Sequence, residues 1–235
     1  MARLNSIDCF KTFQVGLQDQ RDRGAPTIVI PAGTCGRASG AENLIGATEQ
    51  EIRDKGLTER VRLRVTGCHG FCEMEPSVLV EPARTFYPRV AVEDMARIVT
   101  AAAEGEVVED LLFVDSDTDC LVRTQEELPF FKKQVRTILS RNEKVDPVRI
   151  ETYVGNGGYS SVVGALERGD PEWAVRQVKA SKLRGRGGGG FPAGVKWQML
   201  AEQLGGRGKF LVCNADEGDP GAYMDRSVLE GNPHS

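Results

Sequence analysis

A run of glycines is the feature that most limits what this chain can fold into. Residues 185–190 contain five glycines and one arginine, so the backbone there can adopt positive φ and approach a ligand closely. Three basic residues lie in or beside this run: Arg184, Arg186 and Lys196. Three carboxylates follow in one short stretch: Asp216, Glu217 and Asp219. A basic glycine loop together with an acidic loop predicts a bound cofactor.

Other functions of a glycine run agree less well with the surrounding sequence. Gly185, Gly187 and Gly190 satisfy G-x-G-x-x-G, but the preceding segment has helical patterning, which argues against a standard Rossmann fold. A P-loop needs Gly-Lys followed by Ser or Thr, whereas Lys196 lies between Val and Trp. A flexible linker would seldom continue directly into Phe191 and Pro192. An RNA-binding glycine–arginine tract is disfavoured by the net charge of −4.

Two segments carry a resemblance to a known family. Residues 183–197, LRGRGGGGFPAGVKW, and residues 213–226, CNADEGDPGAYMDR, are followed by LEGNPH. They resemble the glycine-rich and acidic loops of the NADH-binding flavoprotein subunit of respiratory complex I and its relatives in NAD-linked hydrogenases and formate dehydrogenases. The resemblance implies an NADH:acceptor oxidoreductase (diaphorase) subunit, in which hydride passes from NADH to FMN and electrons leave singly through iron–sulfur clusters.

The resemblance also implies which residues bind the cofactors. By position, the flavin is lined by Gly185, Arg186, Gly187, Gly188, Gly190, Lys196, Asn214, Asp216 and Glu217. Phe191 is placed near the nicotinamide. A carboxylate beside the adenosine ribose rejects a 2′-phosphate, so Asp219 is predicted to favour NADH over NADPH. No catalytic acid or base is expected, because the flavin carries the hydride transfer.

The N-terminal part predicts an α/β domain. Apolar spacing predicts helices at 6–23, 41–55 and 92–103 and strands at 27–30, 60–65 and 77–80. This order, with GTCGRASGA and TGCHGFCEMEP at its loops, resembles the thioredoxin-like [2Fe-2S] ferredoxin domain fused to some of these flavoproteins. The predicted organisation is therefore a thioredoxin-like domain at 1–104, a linker and basic helix at 105–145, and the N-terminal part of an FMN/NADH-binding domain at 146–235.

The cysteines depart from the ferredoxin pattern at one position. The resemblance implies Cys35, Cys68 and Cys72 as ligands of a [2Fe-2S] cluster, but Ile30 occupies the place of the fourth. Three accounts remain open: a cluster with a fourth ligand from Cys9, Cys120 or His69, a cluster-free docking scaffold, or redox-active thiols. His69 is interpreted as a loop residue without a metal role. Zinc is a poor match, because structural zinc takes four ligands in two close pairs.

Composition and resemblance together predict the surroundings of the chain. No apolar run approaches the roughly 20 residues of a membrane span, and the N-terminus lacks the apolar core of a secretory signal, so a cytoplasmic location is expected, with attachment to the membrane only through partner subunits. The family implies iron–sulfur partner subunits and further sequence beyond Ser235 that carries a [4Fe-4S] cluster. The alternative is a truncated binding or assembly module without activity.

Three expectations concern the second half of the chain. Residues 129–142 predict a basic helix with a packed face and a charged face towards water. The packed residues are Phe130, Val135, Ile138 and Leu139, and the solvated ones are Lys132, Lys133 and Arg136. The aspartates before Pro147 and Pro171 predict helix N-caps. The segment KFLVC predicts a strand that buries Cys213.

Overall fold

The computed structural model describes residues 4–22, 24–204, 206 and 208–235. Two compact units emerge from the contacts within the chain. Unit 1 comprises the described residues of Met1–Lys11 and Tyr159–Asp216, and unit 2 comprises those of Thr12–Gly158 and Glu217–Ser235. The helices are α1 Ile7–Asp22, α2 Thr34–Ala38, α3 Ala41–Asp54, α4 Met95–Glu104, α5 Pro129–Lys132, α6 Ile150–Gly155, α7 Ser160–Arg168, α8 Pro171–Ala180, α9 Ala193–Glu202 and α10 Met224–Gly231. The strands are β1 Thr27–Pro31, β2 Arg62–Thr66, β3 Val78–Glu81, β4 Thr85–Tyr87, β5 Phe113–Asp115 and β6 Cys120–Val122.

Unit 2 is built on a four-stranded sheet with the order β2-β1-β3-β4. β1 pairs in parallel with β2, β3 runs antiparallel to β1, and β4 runs antiparallel to β3. This mixed order is that of a thioredoxin-like domain, so the predicted α/β fold class is confirmed. The prediction missed α2, β4 and the hairpin β5–β6, which lies inside the predicted linker.

Both faces of strand β1 are buried. Ile28 and Ile30 pack into one apolar cluster with residues of α3 and α4, while Val29 belongs to a second cluster on the opposite face. Alternate residues of a strand point to opposite faces, so a strand covered on both sides must be continuously apolar, as residues 28–30 are. Burial on both faces therefore accounts for the apolar run of β1.

The basic helix predicted for 129–142 is wrong. Helical structure ends at Lys132 and resumes only as a 3₁₀ turn at Leu139–Lys144. Val135 is 93% exposed and Ile138 60%, whereas the Arg136 side chain is only 18% exposed. Arg136 turns inward because its guanidinium donates to the His69 carbonyl and lies 3.7 Å from Glu143, contacts that a regular helix would break.

Of the two aspartates predicted to be helix N-caps, only one caps a helix. Asp170 caps α8, accepting a hydrogen bond of 3.1 Å from the backbone N–H of Trp173, as predicted. Asp146 instead accepts from the backbone N–H of Val148 in a turn, and the next helix begins only at Ile150.

The predicted strand KFLVC is also wrong. Within the part of the chain that the structure describes, residues 209–213 pair with no strand, and Cys213 is exposed. A strand needs a neighbouring ladder for its backbone groups, and propensity alone does not supply one. The domain boundaries at 104 and 145 remain predictions.

Among the described residues, no helix is long and apolar enough to cross a bilayer.

Two glycines make a matched pair for testing the packing of the sheet. A Cβ at Gly36, in α2, would lie 2.4 Å from the Pro31 carbonyl oxygen, whereas a Cβ at Gly46, in α3, would meet open space. We expect Gly46→Ala to raise the free energy of unfolding by about 0.5–1 kcal/mol, since alanine loses less entropy in a helix. Gly36→Ala should lower the free energy of unfolding by about 1–3 kcal/mol, because the backbone at Pro31 or in α2 must move to make room for the Cβ. Urea titrations followed by circular dichroism measure both, and equal effects would contradict the packing described.

Candidate functional site

Parallel pairing brings two of the predicted cysteine ligands together. Pro31 at the end of β1 lies opposite Thr66 at the end of β2, so the loops that follow both strands leave the same edge of the sheet. Cys35 lies in α2 after the first strand, and Cys68 lies in the loop after the second. Cys72 opens a 3₁₀ turn at Cys72–Met74 in the same loop.

The three thiols form one cluster. Burial, hydrogen bonding with the Cys35 thiol and the charges of Cys68 and Cys35 raise the pKa of Cys72 to about 12. All three residues are half-buried free thiols. The backbone N–H of Gly70 donates to Cys68 Sγ over 3.1 Å, and such bonds to sulfur help to set cluster potentials.

The thiols satisfy only part of the requirement for a cluster. Among the described residues, no group of three or more His, Cys, Asp and Glu side chains is arranged to hold a metal ion. A [2Fe-2S] cluster distributes four protein ligands over two irons, so the three thiols that the resemblance implies as ligands would leave one position to another residue. Ile30, at the family's fourth position, is fully buried in the apolar core.

The candidate fourth ligands lie in different settings. Cys9 and Cys120 are exposed, and the Cys120 thiol lies 3.5 Å from the Thr118 carbonyl. His69 is buried, and its Nε2 lies 2.9 Å from Thr66 Oγ1. Burial, then the charges of three nearby arginines, lower the pKa of His69 to about 3, so the ring is neutral.

A half-buried carboxyl group lies beside the cysteine loops. Glu75 Oε2 accepts hydrogen bonds from the Ser77 N–H at 3.0 Å and the Ser77 hydroxyl at 3.3 Å. It would lie 3.6 Å from a Cβ built on Gly36. Burial raises the pKa of Glu75 to about 7, although the bonds from Ser77 oppose the shift.

The glycine loop of unit 1 is closed at its base and open along its length. Gly185 N–H donates to the Phe191 carbonyl at 2.9 Å, and Arg184 Nε donates to the Gly190 carbonyl at 2.6 Å. Gly188 and Gly190 have φ of 99° and 58°, values that favour glycine. Cβ atoms on the middle glycines would meet nothing within 4 Å. The loop therefore presents bare backbone to any ligand.

The predicted side chains around this loop are accessible. Arg186, Phe191 and Lys196 are exposed or half-exposed, and Lys196 Nζ lies 5.6 Å from the centre of the Phe191 ring. Gly194 was missed by sequence reasoning: a Cβ there would lie 2.6 Å from the backbone of Lys179, so it lets α9 approach α8 closely.

The acidic residues divide between the two units. In unit 1, Asn214 Oδ1 accepts from the backbone N–H of Asp216 at 3.0 Å. In unit 2, the Glu217 carboxylate accepts from the backbone N–H groups of Asp225 at 2.7 Å and Arg226 at 2.9 Å. Glu217 therefore caps the N-terminus of α10, a position that favours negative charge.

Asp219, the remaining acidic residue, does not cap a helix. Asp219 is exposed, and its backbone carbonyl accepts a turn bond of 3.0 Å from Ala222. The fourteen predicted site residues thus fall into a glycine-loop group, an acidic group and a thiol group; Cys35, Cys68, Cys72, Glu217 and Asp219 belong to unit 2 and the others to unit 1.

One family model matches the part of the chain that carries the two loops. Residues 178–235 match the Nuo51 FMN-binding domain, a range that contains every residue predicted to bind FMN or NADH. This match confirms the resemblance recognised in the two loops.

Curated relatives match over about two fifths of the chain. The F 2 subunit of NADH-quinone oxidoreductase from Rhizobium meliloti (strain 1021) is 46% identical over 98 residues, which is 41% of this chain and 23% of the relative. The HndC subunit of the NADP-reducing hydrogenase from Solidesulfovibrio fructosivorans is 47% identical over 106 residues, 44% of this chain and 21% of the relative. The matches thus span less than a quarter of either relative.

Solved structures match more distantly. The thioredoxin-like [2Fe-2S] ferredoxin from Aquifex aeolicus is 25% identical, with a TM-score of 0.35, over 38% of this chain and 97% of the ferredoxin. An NAD⁺-reducing [NiFe]-hydrogenase is 17% identical, with a TM-score of 0.35, over 93% of this chain and 36% of the hydrogenase chain.

Glu75 predicts a pH dependence of stability. Because its pKa is about 7 in the folded chain, against an ordinary value of 4.5, the folded state binds the extra proton, and its stabilising contribution is lost as pH rises from about 4.5 to 7. We expect Glu75→Gln to gain free energy of unfolding relative to the parent chain by up to about 3 kcal/mol between pH 4.5 and 8. The exposed Glu73→Gln is the matched control. Urea titrations of the metal-free chain measure both, and a pH-independent difference for Glu75→Gln would contradict the burial of its carboxyl group.

Proposed function

We propose that this chain belongs to an FMN-dependent subunit of an NADH:acceptor oxidoreductase. The observation that carries the proposal is the match of residues 178–235 to the Nuo51 FMN-binding domain. The NADH-quinone oxidoreductase and hydrogenase relatives support the class of reaction, which is electron transfer from a nicotinamide nucleotide. When bound, FMN accepts a hydride from NADH and releases electrons one at a time, and the protein supplies binding and orientation.

The glycine loop is suited to the anionic part of a flavin nucleotide. Its central glycines leave the backbone N–H groups open to a phosphate, and Arg186 is exposed beside them. Arg184 is already engaged with the Gly190 carbonyl, so it shapes the loop rather than serving the ligand. Arg186 is therefore the residue that would contact the phosphate.

The side chains that follow the loop are suited to an aromatic ligand. Phe191 offers an exposed ring near the nicotinamide position implied by the family, and Lys196 lies close enough to that ring for a cation–π contact. Together they would hold the flavin and nicotinamide rings in one orientation, which is the main contribution that a protein makes to hydride transfer.

The acidic residues are suited to hydroxyl groups. Carboxylates only accept hydrogen bonds, so Asp216 and Asp219 would bind ribose or ribityl hydroxyls and repel phosphate. Asn214 would add an amide. Glu217 caps α10 with both carboxylate oxygens, so its part in flavin binding is to hold the acidic loop in place as well as to line it.

The thiol cluster is the proposed exit for electrons. Three converging cysteines and a backbone N–H to Cys68 Sγ support an iron–sulfur cluster, with Cys35, Cys68 and Cys72 as thiolate ligands of a [2Fe-2S] centre. The fourth ligand is outside this set. Electrons would continue to iron–sulfur partner subunits and to the [4Fe-4S] cluster that the family resemblance implies.

A second candidate function is an assembly module without activity of its own. The sequence left this function open. Such a module would keep the fold but would not bind flavin.

Flavin binding separates these functions. We expect the purified chain to quench FMN fluorescence on binding, and Arg186→Ala to weaken the affinity by about 10- to 100-fold, since a hydrogen bond to a charged group contributes about 1.5–3 kcal/mol. Arg176→Ala, which removes an exposed arginine of the same unit, is the matched control. NADH oxidation with ferricyanide measures activity of the flavin-loaded chain. Absence of FMN binding by the parent chain would favour the assembly module.

Nucleotide preference tests the acidic loop separately. We expect Asp219→Ala in the active complex to reduce the preference for NADH over NADPH by about tenfold, because the 2′-phosphate would no longer meet a carboxylate. Asp225→Ala removes a nearby exposed acid and should leave the preference unchanged. Ratios of kcat/KM for the two nucleotides provide the measurement. An unaltered ratio for Asp219→Ala would assign the discrimination elsewhere.

A further inference from the structure

The segment predicted as a basic helix covers the cysteine loop, residues 67–72, which carries Cys68 and Cys72. Near the start of this strap segment, residues 129–142, the Phe130 ring stacks on Phe71 with centroids 4.1 Å apart and planes 3° from parallel. Farther along, Arg136 Nη2 donates to the His69 carbonyl at 2.5 Å. The strap segment thus contacts the loop directly after Cys68 and again just before Cys72.

The strap segment ends at a residue that bridges two elements. The Asn142 side chain is fully buried, and its Nδ2 donates to the Cys68 carbonyl at 3.4 Å and to the Ser227 carbonyl at 2.9 Å. An amide nitrogen carries two hydrogens, so one side chain can make both bonds. Ser227 belongs to α10, which follows the acidic loop. Asn142 therefore joins the cysteine loop to that helix.

The two backbones that Asn142 joins are themselves in contact. A Cβ on Gly67 would lie 2.2 Å from the Cα of Gly231, and a Cβ on Gly231 would lie 2.5 Å from Asn142 Nδ2. Side chains at either position are excluded by this approach. Only glycine lets α10 lie against the residue that precedes Cys68.

A second contact connects α10 to the segment that carries Cys35. Thr34 Oγ1, directly before Cys35, donates to Glu230 Oε2 near the end of the helix at 3.3 Å. At the opposite end, the Glu217 carboxylate caps the helix. One eight-residue helix thus has its start bound by the acidic residue Glu217 and its end held against the cysteine loop and the segment that carries Cys35.

We propose that Asn142 is a positioning residue that holds α10 on the cysteine loop and so keeps a constant spacing between the Glu217 carboxylate and the three thiols. Among the described residues, Asn142 is the one whose side chain donates to backbone carbonyls of both the cysteine loop and α10. Loss of the amide releases the loop around Cys68 and α10 together, because the Cys68 and Ser227 carbonyls accept hydrogen bonds from the same nitrogen.

The consequence for electron transfer rests on the proposed function. If the Glu217 carboxylate lies at the flavin and the thiols hold a cluster, the spacing between that carboxylate and the thiols affects the rate, because electron transfer weakens steeply with distance. The positioning role itself does not depend on either cofactor, so the two can be tested separately.

Hydrogen–deuterium exchange of the purified chain tests the positioning role. Asn142→Ala removes the amide, and Asn142→Leu removes it while keeping a side chain branched at the same carbon, in case the smaller side chain prevents folding. Ser140→Ala is the control, since Ser140 lies in the same strap segment and bonds only to the Thr137 carbonyl in the described chain. We expect either Asn142 variant to exchange about tenfold faster in both 66–73 and 224–232, with residues 95–104 of α4 unchanged. Ser140→Ala should leave all three regions unchanged.

Three results would overturn the proposal: faster exchange in only one of the two regions, no change in either, or an equal increase in α4 that reports general destabilisation.

A second measurement addresses the cluster. After reconstitution with iron and sulfide, Asn142→Leu should change the g-values of the reduced cluster by electron paramagnetic resonance, whereas Ser140→Ala should not. Failure of the parent chain to take up a cluster would count against the proposed function, while exchange alone would still decide the role of Asn142.

Discussion

The parallel pairing of β1 with β2 is the constraint on which the rest of the structure depends. It aligns the ends of two strands at Pro31 and Thr66, so the loops that carry Cys35 and Cys68 leave one edge of the sheet side by side. The pairing is held because Ile28 and Ile30 pack on one face of β1 while Val29 packs on the other. A slip of one residue would exchange these faces and change the alignment of the two strand ends.

Around this edge the structure uses backbone contacts more than side-chain charge. Gly67 and Gly231 approach so closely that no Cβ fits, and Asn142 bonds the carbonyls on both sides of the contact. Glu217 has both carboxylate oxygens on backbone N–H groups of α10. Backbone groups have fixed geometry, so a site assembled from them keeps its shape when surface side chains change.

A network of mostly half-buried charges lies on the other side of the cysteine loop. Arg84 contacts Glu81, Glu126 and Glu143, and Arg136 lies near Glu143 and donates to the loop backbone. The same arginines help to keep His69 neutral. Such a network is costly when incomplete, since a buried charge without its partner loses its hydration without compensation. The loop is therefore supported by charges that depend on one another.

The sequence by itself determined the family-type loops, the three thiol positions and most elements of the N-terminal sheet, because glycine content, cysteine spacing and strand alternation are local properties. Asp170 shows the same for a helix cap. Only the tertiary structure decided the path of the strap segment, the inward turn of Arg136 and the contact between Gly67 and Gly231. These depend on partners about 70 to 160 residues away, and neither apolar periodicity nor charge pattern carries information about which distant backbone will accept a hydrogen bond.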